Sequence, residues 1–147
     1  MLHVNERYVD ETRDEKGNVV DYQYKYPENF NFAYDVVDAI AEAEPGRRAM
    51  IWCNPCGEEH VFTYGDLKRY SDKPATMLRA KGIGKGDMVM VVLKRHYQFW
   101  FTILALHKLG AVIIPATFLL TKHDIVYRVN SASVKAVICT GQGDVAA

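Results

Sequence analysis

Net charge is the first thing this sequence lacks. Its 18 lysines and arginines balance 18 aspartates and glutamates, so no overall field draws it to nucleic acid or to an anionic membrane. Long apolar runs are missing too. No segment approaches the roughly 20 apolar residues needed to span a bilayer, and residues 1–7 lack the apolar stretch of a secretory signal. A cytoplasmic protein with no membrane span is expected. Cysteine is sparse and odd in number, at Cys53, Cys56 and Cys139, which argues against a disulfide framework. Cys53-Asn-Pro-Cys56 has the spacing of a redox motif, and His60 follows where a third metal ligand could stand. A structural zinc site usually takes a fourth ligand, however, and a reactive thiol needs a helix N-terminus. Asn54-Pro55 and Gly57-Glu58 instead predict the tip of a hairpin joining residues 49–52 to residues 60–63. No metal site is assigned.

What is present is apolar content, 49% of 147 residues, enough to bury one core. Residues 1–31 are rich in charge and tyrosine, with a turn signal at residues 14–18 between two short strand-like pieces. They read as an extension that packs on something else, ahead of a body at 32–147. From Asn31, an expected N-cap, Phe32, Val36, Val37, Ile40 and Ala43 fall at helical spacing until Pro45-Gly46 ends the pattern. Thr63-Tyr-Gly-Asp66 predicts a capping box opening a second helix, and Gly82 is placed to close it in the left-handed conformation. Pro74 lies inside that helix and predicts a kink, or a restart near Ser71-Asp72.

Three continuously apolar runs follow, at residues 88–93, 111–114 and 134–139. Such runs suit strands covered on both faces. Between the first two lies a helix-like stretch, residues 97–109, apolar almost all round and closed by Gly110. Between the second two, Thr121-Lys-His-Asp124 is a further capping box, with Leu120 and Ile125 placed as a hydrophobic staple. The expected fold class is therefore α/β: a β-hairpin and helices leading into a parallel β-α-β-α-β unit, with right-handed crossovers. In open sheets of this kind ligands gather at the carboxyl ends of the strands. Here those ends are Lys94-Arg95-His96, residues 115–120, and Thr140-Gly-Gln-Gly143. The Lys94-Arg95-His96 cluster suits either an anionic ligand or a solvated loop. Gly82-Ile-Gly84-Lys-Gly86 precedes a strand rather than following one, so it reads as a cap and turn, not a phosphate loop. His107 is expected to be a satisfied core or margin residue, and His123 a surface one. No nucleophile, base and orienting group assemble, so no catalytic residue is assigned.

The order of these features is not anonymous. "FTYGDLKRYSDKPATMLRAKGIGKGDMVMVVLKRHYQFWFTILALHKLGAVIIPATFLLTKHDIVYRVNSASVKAVIC" resembles the opening of the large domain of adenylate-forming enzymes, the acyl-CoA synthetase and luciferase superfamily. The likeness extends over nearly all of residues 27–139. "PENFNFAYDVVDAIAEAEPGRRAMIW" and "LTKHDIVYRVNSASVKAVI" are similar to its medium-chain branch. The resemblance implies a parent enzyme that joins a small carboxylic acid to ATP, with Mg²⁺, and then passes the acyl group to coenzyme A. The family's phosphate loop, ribose-binding acid, hinge and C-terminal domain lie beyond the last match. The expectation is thus an incomplete N-terminal fragment, inactive alone, with no cofactor bound. Its uncovered surfaces predict a homo-oligomer. The resemblance also places the loop after "GAVIIP" near the coenzyme A channel, which nominates Thr117, Phe118 and Leu119 as lining residues. This sequence departs from the family by having Leu119 where a glutamine is typical and Lys94 where proline is common. The alternative for Phe118 and Leu119 is that they pack under the following helix. A free-standing α/β binding or assembly module, without catalysis, is the competing reading of the whole chain.

Overall fold

A computed structural model describes residues 3–141. A short helix, α1 (Asn5–Tyr8), leads into an antiparallel ribbon of β1 (Val9–Arg13) and β2 (Val19–Tyr24). Asp14 shapes the turn between them, its Oδ1 accepting from the amides of Lys16 and Asn18 at 2.9 and 2.8 Å. Asn31 then caps the next helix through the Ala33 amide, 3.0 Å away. The sequence period predicts one regular α-helix here, and the structure differs. Phe32–Asp38 winds in wider π turns before passing into α2 (Ala39–Ala43). Ala33 and Val37 face the core and Asp38 is buried, a placement that a 3.6-residue apolar period does not encode.

The expected hairpin follows as β3 (Arg48–Cys53) and β4 (Glu59–Thr63), with Cys53 opposite Glu59. Asn54 builds its tip by accepting the amides of Cys56 and Glu58, each at 3.0 Å. That turn leaves Cys53 and Cys56 exposed. Helix α3 (Tyr64–Ala80) opens with the reciprocal capping box: Asp66 N–H donates to Thr63 Oγ1 at 3.1 Å, and Thr63 N–H donates to Asp66 Oδ2 at 3.0 Å. Pro74 does not divide it. The helix runs through residues 71–80 without the restart expected at Ser71-Asp72, because its packing on the helix of residues 98–109 outweighs the ~3 kcal/mol that an interior proline costs. Gly82 ends it at φ +83°, and the Ile83 amide reaches back to the Leu78 carbonyl at 3.0 Å.

Strands β5 (Met88–Val92), β6 (Val112–Pro115) and β7 (Ala136–Cys139) form a parallel sheet, connected through α4 (Gln98–Leu109) and α5 (Lys122–Ser131). The order across the sheet is β6-β5-β7. That order corrects the expectation of three strands covered on both faces. Only the central strand is so covered: Val89, Met90 and Val91 are fully buried, whereas Val112 and Val137 on the flanking strands stand 42% and 45% exposed. The turn at Gly84 before β5 is held by Asp87, whose carboxylate accepts the Gly84 amide at 2.7 Å and pairs with Lys135 at 2.8 Å. It is a joint at the amino ends of β5 and β7, not a phosphate loop.

One apolar cluster joins α3, β5 and α4 through Leu78, Val89, Val91, Leu106 and Leu109. A second, aromatic cluster joins the π-wound segment, β4, α3 and the start of α4 through Val37, Phe62, Leu67 and Phe101. The sequence predicts a helix α4 apolar almost all round, yet Trp100 is 52% exposed and Lys108 is buried. The Lys108 ammonium lies 2.9 Å from Asp38 and 2.7 Å from Asp72, and 5.6 Å from the ring centre of Tyr34. Lys68 supports the same carboxylate at 3.4 Å.

Removing one member of a buried ion pair strands its partner, at about 3–5 kcal/mol. Lys108→Met should therefore lower the urea-unfolding free energy by about 3 kcal/mol, the low end because Lys68 remains beside Asp38, and Lys108→Met with Asp38→Leu should recover most of it. A single-variant loss within about 0.5 kcal/mol of zero, the range of ordinary surface changes, would contradict this account. At the other end of α3, Thr63→Ala should cost about 1 kcal/mol. Hydrogen bonds from Thr63, with Arg69 adding attraction, hold the Asp66 carboxyl below its ordinary 3.8. Its contribution is thus present above pH 3.8 and is lost as pH falls through the lower folded value. Asp66→Asn should flatten that part of an acid-unfolding curve.

Candidate functional site

The chain leaves β5 for β6 on one side and returns past β5 to β7 on the other. Strand order therefore reverses between β5 and β7, which is where open α/β sheets bind ligands. A cleft of about 350 Å³ lies there, lined by Leu93, His96, Gln98, Thr140 and Gly141. Gln142 and Gly143 of the third predicted loop lie outside the described residues. A larger cleft, about 570 Å³, sits by the N-terminal ribbon with walls of Val4, Tyr8, Tyr24, Tyr26 and Phe30. Its walls are aliphatic and aromatic side chains, so the smaller cleft, which gathers imidazole, amide and hydroxyl groups, is the better candidate for chemistry.

The β5–α4 loop that forms one wall is held from outside. Arg95 adopts the left-handed conformation, φ +46°, an unfavourable one for a side chain of its size. Its carbonyl accepts the Trp52 indole N–H at 2.6 Å. Trp52 in turn packs edge-on against Tyr97 at 5.3 Å and beside His60 at 5.6 Å. His60 also faces Tyr97, and its Nε2 lies 3.1 Å from Glu58. The third candidate ligand beside Cys53 and Cys56 is thus committed to the aromatic cluster. Among the described residues no group of three or more His, Cys, Asp or Glu is placed to hold a metal ion.

Lys94, Arg95 and His96 separate in role. The Lys94 ammonium lies over the Phe118 ring at 4.5 Å, Arg95 makes the bend, and His96 lines the cleft. Thr117, Phe118 and Leu119 stand on the neighbouring β6–α5 loop, where the Leu119 amide donates to Thr117 Oγ1 at 3.2 Å. None of the three lines the cleft. Leu119 is 74% exposed and so does not pack under α5. Trp52 and Gln98 escaped the sequence reading. Gln98 was legible in principle as a polar residue opening an apolar helix after a strand, while nothing near Trp52 in sequence reveals its partner. His107 departs from expectation: it is half-buried, its Nδ1 has no hydrogen-bond partner among the described residues, and burial pushes its imidazole below the ordinary 6.5.

Phosphate binding at a helix N-terminus needs free first-turn amides. At α4 the amides of Phe99 and Trp100 bond back to the carbonyls of His96 and Tyr97, each at 3.1 Å. At α5 the Thr121–Asp124 capping box occupies the corresponding positions, at 3.0 and 3.3 Å. Those amides are therefore not free to meet a phosphate. The described residues offer a cleft with imidazole, amide and hydroxyl groups.

A family model described as AMP-binding enzyme matches residues 37–147. The chain belongs to the AMP-binding enzyme family. Among curated family members it is 40% identical over 118 residues to the mitochondrial acyl-coenzyme A synthetase ACSM5 of Rattus norvegicus, covering 76% of this chain and 20% of that protein. It is 36% identical over 124 residues to the mitochondrial acyl-coenzyme A synthetase ACSM3 of Homo sapiens, covering 80% and 21%. The chain thus spans about a fifth of the length of the curated relatives it matches. Those names place the relatives in mitochondria, and nothing in the comparisons supports the cytoplasmic expectation. Among solved structures, the N-terminal subdomain of Klebsiella oxytoca NpsA superposes with a TM-score of 0.67 at 26% identity, over 77% of this chain and 28% of that one. The fatty acid AMP ligase of Legionella pneumophila shares the fold with a TM-score of 0.67 at 20% identity, over 74% and 19%. Among the described residues of this family member, no helix is long and apolar enough to cross a membrane.

Trp52→Phe keeps an aromatic ring, though a smaller one, and removes the bond to Arg95. We expect a stability loss of about 1 kcal/mol, with amide NMR shifts concentrated at residues 94–98. Shifts spread evenly over the sheet would show that Trp52 does not hold this loop. For His107, an NMR titration should give a midpoint below 6.5. Above pH 6.5 the histidine is neutral folded or unfolded. Below that value the unfolded chain takes the proton first, so stability should fall as pH drops from 6.5 towards the folded midpoint.

Proposed function

We propose that this chain supplies the first part of the large domain of an ATP-dependent acyl-CoA synthetase of the medium-chain kind, with residues 1–31 as an extension and residues 32–147 as the domain's opening elements. The parent reaction converts a carboxylate, ATP and coenzyme A into acyl-CoA, AMP and pyrophosphate, with Mg²⁺. The observation that carries this reading is the family match over residues 37–147 together with 40% identity to an acyl-coenzyme A synthetase. The role of these residues is to form one wall of the ligand crevice: β5 is immobilised between its neighbours, and its exit loop presents His96 and Gln98 beside Thr140. Thr117, Phe118 and Leu119, exposed on the adjoining loop, are candidates for lining the coenzyme A channel.

The chain alone is inactive in this reading. Adenylation needs donors that stabilise charge developing on the phosphoryl oxygens, and the amides of Phe99, Trp100 and Asp124, at the helix N-termini beside the sheet's carboxyl ends, are already bonded within their own helix starts. ATP–pyrophosphate exchange by the folded chain, assayed with short and medium carboxylic acids, should stay at background; exchange above background would refute inactivity. The family role is tested by substitution. Human ACSM3 carrying residues 37–147 of this chain in place of its matching segment should still form acyl-CoA, within about tenfold of the unaltered enzyme, or 1.4 kcal/mol in barrier. A folded chimera without acyl-CoA formation would overturn the proposal.

A further inference from the structure

The β1–β2 ribbon precedes the residues that the family model matches, and its six-residue second strand is exposed throughout. An isolated two-stranded ribbon is marginal in water, and a free edge invites another strand. The Lys25 amide donates to the Tyr8 carbonyl at 2.9 Å, so Lys25, Gln23 and Asp21 direct their backbone groups towards β1. By alternation, Tyr22 and Tyr24 direct theirs to the free edge. The Tyr22 amide there is covered only by its neighbour, Asp21 Oδ1, at 2.9 Å. The same two residues carry the aromatic ladder: the Tyr22 and Tyr24 rings are 5.3 Å apart, and Tyr26 continues the row 6.5 Å from Tyr24.

We propose that this edge pairs with β2 of a second copy of the chain, antiparallel, about a two-fold axis at Gln23, to close a four-stranded sheet. Charge and face select the register. Like must face like across an antiparallel pair, so that the apolar side chains share one surface. A two-fold centred on Asp21 sets that carboxylate against its own copy, which is unfavourable. Centred on Tyr22, it leaves Lys25 opposite Val19. Centred on Gln23, it sets Asp21 of each chain opposite Lys25 of the other, and Tyr22 opposite Tyr24, the residues whose amides and carbonyls face outward. Each lysine then lies between the partner's Asp21 and its own Asp10, with which it already pairs. The contact is isologous, so each ion pair and each tyrosine pair occurs twice. This inference does not depend on the acyl-CoA synthetase reading.

Sedimentation velocity of this chain over a concentration series is the test. A monomer–dimer equilibrium is expected. Tyr24→Pro removes an outward amide while leaving the bonds to β1, as edge prolines do, and should leave only monomer with an unchanged circular dichroism spectrum. In an Asp10→Asn background, which spares a reversed residue 25 a like charge in its own ribbon, Asp21→Lys and Lys25→Asp should each weaken dimerisation about tenfold. The double exchange should restore it. A chain that is monomeric at every concentration would overturn the proposal. So would association indifferent to Tyr24→Pro and to the charge exchanges, which would place the contact on another edge, such as β6 or β7. If Tyr24→Pro alters the spectrum, the charge exchanges decide: restoration by the double variant supports the register, and its absence overturns it.

Discussion

A lysine side chain that is 1% exposed has to meet its counter-charge within the fold, and Lys108 meets the buried Asp38 and the half-exposed Asp72. Those acids stand on separate elements, Asp38 at the junction of the π-wound segment with α2 and Asp72 in the middle of α3. Helix α4 consequently has one rotation about its axis in which the charge is satisfied. That rotation is also the one that sends Phe101 and Leu104 into the aromatic cluster and Leu106 and Leu109 onto the central strand. The ion pair specifies as much as it stabilises, since apolar contacts alone would tolerate a helix this uniformly hydrophobic in several settings. One oxygen, Asp38 Oδ1, is left without a hydrogen-bond partner among the described residues. The network therefore fixes the geometry at some energetic cost.

From that fixed helix the geometry of the cleft follows. The start of α4 is tied to the β3–β4 hairpin by Trp52, which grips Arg95 on one side and Tyr97 on the other. The bend at Arg95 is thus imposed by a bond from another element. Its cost, of order 1 kcal/mol or more for a non-glycine residue, is met by the packing of the hairpin on α3 and α4. The wall that carries His96 and Gln98 is rigid because two separate layers agree on where it goes.

Much of this architecture was legible in the sequence because its signals are local. Both threonine capping boxes, the Asn54 turn, the Asp14 turn and the closing glycines at 82 and 110 are each specified within about five residues by hydrogen bonding or by glycine's tolerance of positive φ. Apolar runs located the three strands, and their alternation with helices gave the parallel sheet. The order of motifs pointed to the family that the chain belongs to. Strand order is not encoded locally, since nothing within β6 or β7 says which side of β5 it takes, and continuous apolar runs on the flanking strands predict cover that their outer faces lack. The π winding at Phe32–Asp38 and the survival of α3 through Pro74 have no local signal, and the burial of Lys108 depends on Asp72, 36 positions away, and on the still more distant Asp38. The Trp52–Arg95 bond likewise spans 43 positions. The loop of Thr117 to Leu119 was located correctly as a strand exit, but the cleft formed on the other flank of β5.

The central position of β5 has a consequence for biogenesis. During synthesis it is the earliest of the three strands to leave the ribosome, yet neither neighbour exists until residues 112–115 and then 136–139 have emerged. Its available cover in the meantime is α3, already made, and α4 as soon as it follows, and both pack on one face, that of Val89 and Val91. The other face, that of Met90 and Val92, must wait, and a nascent chain elongating at about 5–20 residues per second would hold it uncovered for seconds. Translation speed across the α4 to β7 stretch, and any holdase that recognises aliphatic segments, therefore bear directly on how much of this protein reaches its folded state.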